Sequence, residues 1–146
     1  MSPLSVHVSK CSTRTPKYLC IHYTAGGSSK PGSALAVKKV FEKRSASADF
    51  ATDDRDMVQF NPDIAHYYCW AVGDGNGKFG ITNSNSISIE MCSTLKSNYH
   101  GHYPMHEGWS ISEATFHNTV KLAKILMKKY SIPLDRVVRH YDASRK

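Results

Sequence analysis

The alternation of apolar and polar residues predicts a strand, a loop and a helix in the first third of the chain. Residues 17–24 (KYLCIHYT) are rich in β-branched and aromatic side chains, which is typical of a β-strand. The Gly, Ser and Pro residues within 25–32 then predict a loop. Apolar residues recur at helical spacing after this loop, at Ala36, Val37, Val40 and Phe41. A helix is therefore predicted from Ser33, which is placed to cap its start, to about Arg44.

Short strands are predicted in the middle of the chain. The candidates are residues 48–52, 57–60 and 66–71, separated by turn-forming residues. The first two are predicted to pair as a hairpin. Strict alternation over residues 86–91 (SISIEM) predicts a further strand with one buried apolar face. Glu90 then lies on the opposite face, which also bears Ser86, Ser88 and Cys92.

The last third of the chain predicts a loop, a long helix and a final strand. Residues 97–108 show no periodicity, whereas 110–113 (SISE) fit a capping box that opens a helix. The apolar positions of this helix are Val120, Ala123, Leu126, Met127 and Tyr130, and it is predicted to end near Tyr130. Residues 136–140 (RVVRH) are predicted to form the last strand.

Length and composition predict a single globular domain over residues 1–146, with 40% hydrophobic and 21% charged residues. No run approaches the roughly 18 apolar residues that span a bilayer, so no membrane insertion is expected. The N-terminal residues lack the long apolar region of a signal peptide. The four cysteines have no zinc-ribbon or redox spacing and are predicted to be reduced thiols, with a Cys11–Cys20 disulfide as the alternative.

A formal net charge of +7 indicates a surface that favours polyanions, either nucleic acid or an anionic cell wall. No nucleic-acid-binding motif accompanies the lysines within 120–129, so no nucleic-acid partner is expected. The eight histidines are more informative. His22 and His140 each lie at the end of a predicted strand, and two such histidines can converge on one metal ion. A structural role for each is the alternative.

Together these segments resemble the zinc-dependent N-acetylmuramoyl-L-alanine amidases of the type-2 class, which include phage lysozyme-type amidases and share a fold with peptidoglycan recognition proteins. The segments that carry the resemblance are 19–25 (LCIHYTA), 47–54 (SADFATDD), 70–75 (WAVGDG), 85–90 (NSISIE) and 140–146 (HYDASRK). The resemblance implies an α/β fold with a mixed central β-sheet flanked by helices and a groove above the strand ends.

The resemblance also implies a function and a set of site residues. His22 and His140 are expected to bind Zn²⁺, which lowers the pKa of a bound water to around 7. Glu90 is expected to be the general base and acid, and Lys146 to stabilise the oxyanion. The substrate is the amide between N-acetylmuramic acid and the first L-alanine of the peptidoglycan stem peptide. Tyr23, Thr24, Asp49 and Trp70 are expected to contact it.

The sequence departs from the family pattern after His140. A third zinc ligand, usually Cys or Asp, is expected shortly beyond that residue, but the sequence ends at Lys146. A C-terminally incomplete domain is therefore expected, with any cell-wall-binding domain missing. The alternative is that zinc is held by the two histidines together with water or another side chain. The cluster of His100, His102 and His106 is interpreted as a surface loop rather than a second metal site.

Two other positions differ from the pattern. Asp49 and Ala71 stand where many relatives have histidine, and Asp49 is a candidate to accept a hydrogen bond from a zinc-bound histidine. A non-catalytic peptidoglycan-binding module of the same fold is the alternative function. Without a signal peptide, an endolysin held in the host cytoplasm until lysis is expected, or a cell-wall enzyme if the domain comes from a larger secreted protein.

Overall fold

The two predicted helices and the six predicted strands form in the predicted order, and three short strands at 8–10, 94–95 and 109–110 were not predicted. The computed structural model describes residues 7–24, 28–73, 79–95, 109–140 and 142. The elements are β1 (Val8–Lys10), β2 (Tyr18–Tyr23), α1 (Ser33–Lys43), β3 (Phe50–Thr52), β4 (Met57–Gln59), β5 (Tyr67–Cys69), β6 (Ser86–Met91), β7 (Thr94–Leu95), β8 (Trp109–Ser110), α2 (Glu113–Tyr130) and β9 (Val137–Arg139). A 3₁₀ turn at Leu134–Arg136 leads into β9.

A mixed five-stranded sheet, in the order β4-β3-β6-β2-β9, lies at the centre of the fold. Strands β3, β6, β2 and β9 are parallel, and β4 pairs with β3 as the predicted antiparallel hairpin. The pairs β1–β5 and β7–β8 form two small antiparallel sheets. The mixed sheet flanked by helices confirms the predicted fold class.

Helix α2 covers one face of the central sheet. Leu19 of β2 and Ile87 and Ile89 of β6 pack against Leu122 and Leu126 of this helix. All five side chains are buried. At about 25 cal/mol per Å² of apolar surface removed from water, this layer is a main source of stability. It also fixes which face of each strand is turned away from α2.

The opposite face of β6 is buried as well, which corrects the prediction of a single buried face. Ser86 and Ser88 are 3% and 2% exposed. The reason is that other groups lie on this face: the Ser86 hydroxyl donates to the Thr82 carbonyl, and the Ser88 hydroxyl lies 3.3 Å from His22 Nε2. Helix α1 packs over part of this second face, where Phe41 and Ala51 belong to one apolar cluster.

Both predicted helices form, but their caps differ from the predictions. Ser33 is the first helical residue, and Gly32 precedes it with a φ of 96°, a left-handed conformation that favours glycine. Helix α2 is capped by Ser112 rather than by Ser110, because the Ser112 hydroxyl accepts a hydrogen bond from the Thr115 amide. The helical pattern also misplaced Ala36 and Val40, which are exposed.

The N-terminus of α1 is capped from a distance by Asp53, which is fully buried. One carboxylate oxygen accepts hydrogen bonds from the amides of Gly32 and Ala34, at 3.0 and 2.9 Å. The other oxygen accepts from the amides of Arg55 and Asp56, at 2.9 and 2.7 Å. A single carboxylate therefore joins α1 to the turn between β3 and β4.

The four cysteines are free thiols, as predicted. None of the helices in the described ranges has the length and apolar character needed to cross a membrane.

We predict that Asp53→Asn lowers the free energy of unfolding by about 2–4 kcal/mol, because an amide nitrogen would replace an oxygen that accepts two backbone N–H groups. Urea denaturation of both proteins measures the change. Asp63→Asn is the matched control, since it removes the same charge from an exposed side chain and should change stability by less than about 0.5 kcal/mol. Equal losses in the two variants would contradict the capping role of Asp53.

Candidate active site

The face of the sheet turned away from α2 carries a row of polar side chains. In the register of the parallel strands, Glu90 of β6 lies beside His22 of β2, and Ala51 of β3 lies beyond Glu90. Cys20 and Ile21 of β2 pair with Val138 and Arg139 of β9, so His140 follows β9 next to His22. The sheet thus brings together three of the predicted site residues that are far apart in sequence.

The two histidines meet through their Nδ1 atoms. His22 Nδ1 and His140 Nδ1 are 2.6 Å apart, and the two rings are nearly perpendicular, at 82°. Nitrogens at this separation share one proton or face a common cation. The two rings therefore meet through one nitrogen each, and the metal-binding role predicted for them stays a prediction.

The environment of His22 favours its neutral form. The residue is 6% exposed, and burial together with the charge of His140 lowers the pKa of His22 to about 3. Neutral imidazole is the form that binds a metal ion. The His22 Nε2 atom lies 3.3 Å from the Ser88 hydroxyl oxygen, so its second nitrogen also has a partner.

Glu90 lies beside this pair, with a carboxylate oxygen 3.9 Å from His22 Nδ1. Burial raises the pKa of Glu90 to about 8, although the positive charge of Arg44 opposes the shift. Its side chain retains 17% exposure, so one edge of the carboxyl group is accessible. A carboxyl group with a pKa near neutrality is suited to accept and return a proton.

The donor set fits the two-histidine part of a zinc site, since both Nδ1 atoms converge and His22 is neutral. Within the described ranges, no group of three His, Cys, Asp or Glu side chains is arranged to hold a metal ion. Cys20 and Cys92 are both buried, and neither completes such a group with the two histidines.

The structure corrects the prediction for Asp49. Its side chain is 1% exposed and does not line a groove. The carboxylate accepts hydrogen bonds from Asn61 Nδ2 at 2.8 Å and from the Ser88 amide at 2.9 Å, and it lies 3.6 Å from the Arg14 guanidinium. Burial raises the pKa of Asp49, while Arg14 and these hydrogen bonds oppose the shift. Asp49 reaches His22 only through Ser88.

Arg14, Asn61 and Ser88 were not singled out by the sequence. Arg14 donates hydrogen bonds to backbone carbonyls that include those of Ile64 and of Ser86, the first residue of β6. The alternation of serines with Glu90 in β6 was the available signal for Ser88. No local pattern pointed to Arg14 or Asn61.

The other predicted substrate contacts lie in different environments. Tyr23 ends β2, is 39% exposed and, by strand alternation, points to the face opposite His22. The Thr24 amide donates to the Met91 carbonyl, and its hydroxyl accepts from the Ser93 amide. Trp70 donates from Nε1 to the Ser9 hydroxyl and packs against His7, away from the histidine pair in its described contacts.

Several predicted residues fall outside the described ranges. They are Lys146, the loop at 97–108 with His100, His102 and His106, and most of the motif that follows His140.

Comparison with known proteins identifies the family. The chain is 29% identical over 142 residues to a probable N-acetylmuramoyl-L-alanine amidase of Bacillus licheniformis. The alignment covers 89% of this chain and 35% of the relative. It is 30% identical over 132 residues to the N-acetylmuramoyl-L-alanine amidase CwlH of Bacillus subtilis strain 168, covering 90% of this chain and 46% of the relative. The chain thus spans less than half the length of these two relatives.

The fold also matches a solved structure. The catalytic domain of XlyA superposes with a TM-score of 0.66 at 28% sequence identity, covering 92% of this chain and 77% of that domain. The sequence profile of the N-acetylmuramoyl-L-alanine amidase family (Amidase_2) matches residues 12–146, and the chain therefore belongs to this family.

Proposed function

We propose that residues 1–146 form one amidase domain that hydrolyses the amide bond between N-acetylmuramic acid and L-alanine in peptidoglycan. The observation that carries this proposal is the row of Glu90, His22 and His140, in which two imidazole nitrogens converge beside a buried carboxyl group. Membership of the amidase family supports the choice of bond. The site of action is then the bacterial cell wall.

His22 and His140 would hold Zn²⁺ through their Nδ1 atoms, with a third ligand from outside the described ranges. When bound, zinc supplies Lewis-acid activation of water and of the scissile carbonyl group. The protein's own part is to keep His22 neutral by burial and to hold the two rings at a fixed angle.

Glu90 is the residue that moves the proton in this proposal. Its carboxylate takes a proton from the attacking water and returns it to the departing amine of L-alanine, so that the products leave with balanced charge. The geometry supports this role, since a Glu90 carboxyl oxygen lies 3.9 Å from His22 Nδ1 and the side chain keeps one accessible edge. Lys146 is proposed to stabilise the oxyanion. Tyr23, Thr24 and Trp70 are proposed to contact parts of the glycan or peptide distant from the scissile amide, since Tyr23 and Trp70 lie away from the histidine pair.

The exposed face of α2 is proposed to hold the domain on the wall. His117, Lys121, Lys124 and Lys128 recur at helical spacing and are all exposed. Among the residues that the structure describes, none of the three lysines forms an ion pair. Anionic wall polymers are the partner that suits such a stripe and the net charge of +7.

We predict that the protein, incubated with zinc and isolated peptidoglycan, releases stem peptides with free L-alanine amino ends and creates no new reducing sugar ends. Mass spectrometry of the products measures the first, and a reducing-sugar assay measures the second. New reducing ends would indicate a glycosidase and overturn the proposal. Binding to the polymer without either product would favour the non-catalytic recognition module.

We predict that two site variants separate metal binding from proton transfer. His140→Ala should abolish tight zinc binding and activity together, because it removes one of two converging nitrogens. Glu90→Gln should lower kcat by about 10²–10⁴-fold and leave zinc affinity within a few-fold of the native value, since an amide cannot exchange the proton. Zinc competition with a chromogenic chelator provides the affinities. A loss of zinc from Glu90→Gln equal to that of His140→Ala would make Glu90 a ligand instead.

We predict that replacing Lys121, Lys124 and Lys128 by Gln weakens adsorption to purified cell walls several-fold in about 0.01 M salt, where charges act over about 30 Å. The difference should vanish near 1 M salt, and hydrolysis of soluble muropeptides should not change. The matched control replaces the exposed Lys10, Lys39 and Lys43 by Gln, which removes the same charge elsewhere. Equal weakening in both triple variants would show that net charge, and not the α2 stripe, governs adsorption.

A further inference from the structure

The Ser88 hydroxyl connects the proposed metal site to a buried carboxylate that the mechanism does not use. Its oxygen lies 3.3 Å from His22 Nε2. The backbone of Ser88 is held on both sides by Asp49, whose amide donates to the Ser88 carbonyl at 3.2 Å and whose carboxylate accepts from the Ser88 amide at 2.9 Å. Ser88 is 2% exposed and Asp49 is 1% exposed, so water does not compete for these hydrogen bonds.

The tautomer of His22 determines whether its Nε2 atom can donate a hydrogen bond to the Ser88 hydroxyl oxygen. A metal ion at the meeting point of the two rings requires a lone pair on His22 Nδ1, which faces His140 Nδ1. Neutral imidazole carries one N–H, so the proton must then reside on Nε2. A buried N–H needs an acceptor, and the Ser88 hydroxyl oxygen lies within hydrogen-bonding distance of it.

Asp49 is itself held in place by groups from distant parts of the chain. Asn61 Nδ2 donates to its carboxylate at 2.8 Å, and Arg14 Nη2 lies 3.6 Å away. Arg14 is fixed by hydrogen bonds to backbone carbonyls that include those of Tyr67 and Ser86. The Ser88 hydroxyl therefore has a fixed position from which to orient the His22 ring.

We propose that Ser88 is a positioning residue, which accepts the Nε2–H of His22 and so holds Nδ1 as the metal-binding nitrogen, with Asp49 anchoring Ser88. This inference rests on the proposed zinc-dependent function. In this proposal Asp49 acts on His22 through Ser88, and Ser88 does not contact the substrate. Positioning partners of this kind typically change metal affinity by about 10–100-fold when they are removed.

The test compares Ser88→Ala with Ser86→Ala. Both serines lie on the same face of β6 and are buried, but the Ser86 hydroxyl donates to the Thr82 carbonyl instead of contacting a histidine. We expect Ser88→Ala to weaken zinc binding by about 10–100-fold and Ser86→Ala to leave it within about twofold. Zinc competition with a chelator measures both, and thermal unfolding without zinc shows whether the two variants lose similar stability.

Nitrogen-15 NMR of the imidazole rings shows directly which His22 nitrogen carries the proton. It uses the native protein, so this measurement does not require any variant to fold. In the zinc-loaded protein, the His22 proton is expected on Nε2, protected from exchange with solvent, and exchanging faster in Ser88→Ala. A proton on Nδ1, an unprotected Nε2–H in the native protein, or native zinc affinity in Ser88→Ala would each overturn the role of Ser88. If the native protein binds no zinc, or if His140→Ala binds it equally well, the proposed function fails instead.

Discussion

The parallel register of β6, β2 and β9 is the constraint on which the site depends. Side chains alternate between the two faces of a strand, so a shift of one residue in any strand would turn its site residue toward α2. Such a shift in β6 would also turn Ile87 and Ile89, which are fully buried under that helix, toward the polar face of the sheet. Burial of the apolar face therefore fixes the positions of Glu90, His22 and His140 relative to one another.

Burial acts on the two kinds of titratable group in opposite directions, and both effects serve the proposed chemistry. It lowers the pKa of His22 and raises that of Glu90, because the charged form is disfavoured in each case. The neutral imidazole is the metal-binding form, and the carboxyl group gains a proton affinity near neutrality. The same low-polarity environment raises the pKa of the Cys20 thiol to about 12.

The sequence predicted those features of the structure that depend on the local pattern of residues. Periodicity located both helices and six of the nine strands that the structure describes, but not the short β1, β7 and β8. The ends of two strands indicated His22 and His140. The errors came from contacts across the chain: α1 is capped by Asp53, which lies beyond the end of that helix, and the polar face of β6 is covered by groups from other segments. Asp49 was expected in a groove because it stands where many relatives have histidine. Its pairing with Arg14, far earlier in the chain, has no local signal.

The burial of Asp49 is difficult to explain by stability alone. A buried ion pair pays a desolvation cost that its Coulombic attraction often only matches, and an apolar replacement of similar volume is frequently as stable. Asp49 also accepts two hydrogen bonds that fix neighbouring groups, one from Asn61 and one from the Ser88 amide. Hydrogen bonds of this kind restrict the orientation of the groups that they join more than they add to the stability of the fold. The position of Asp49 is therefore better explained by its control of the strand segment that contacts His22.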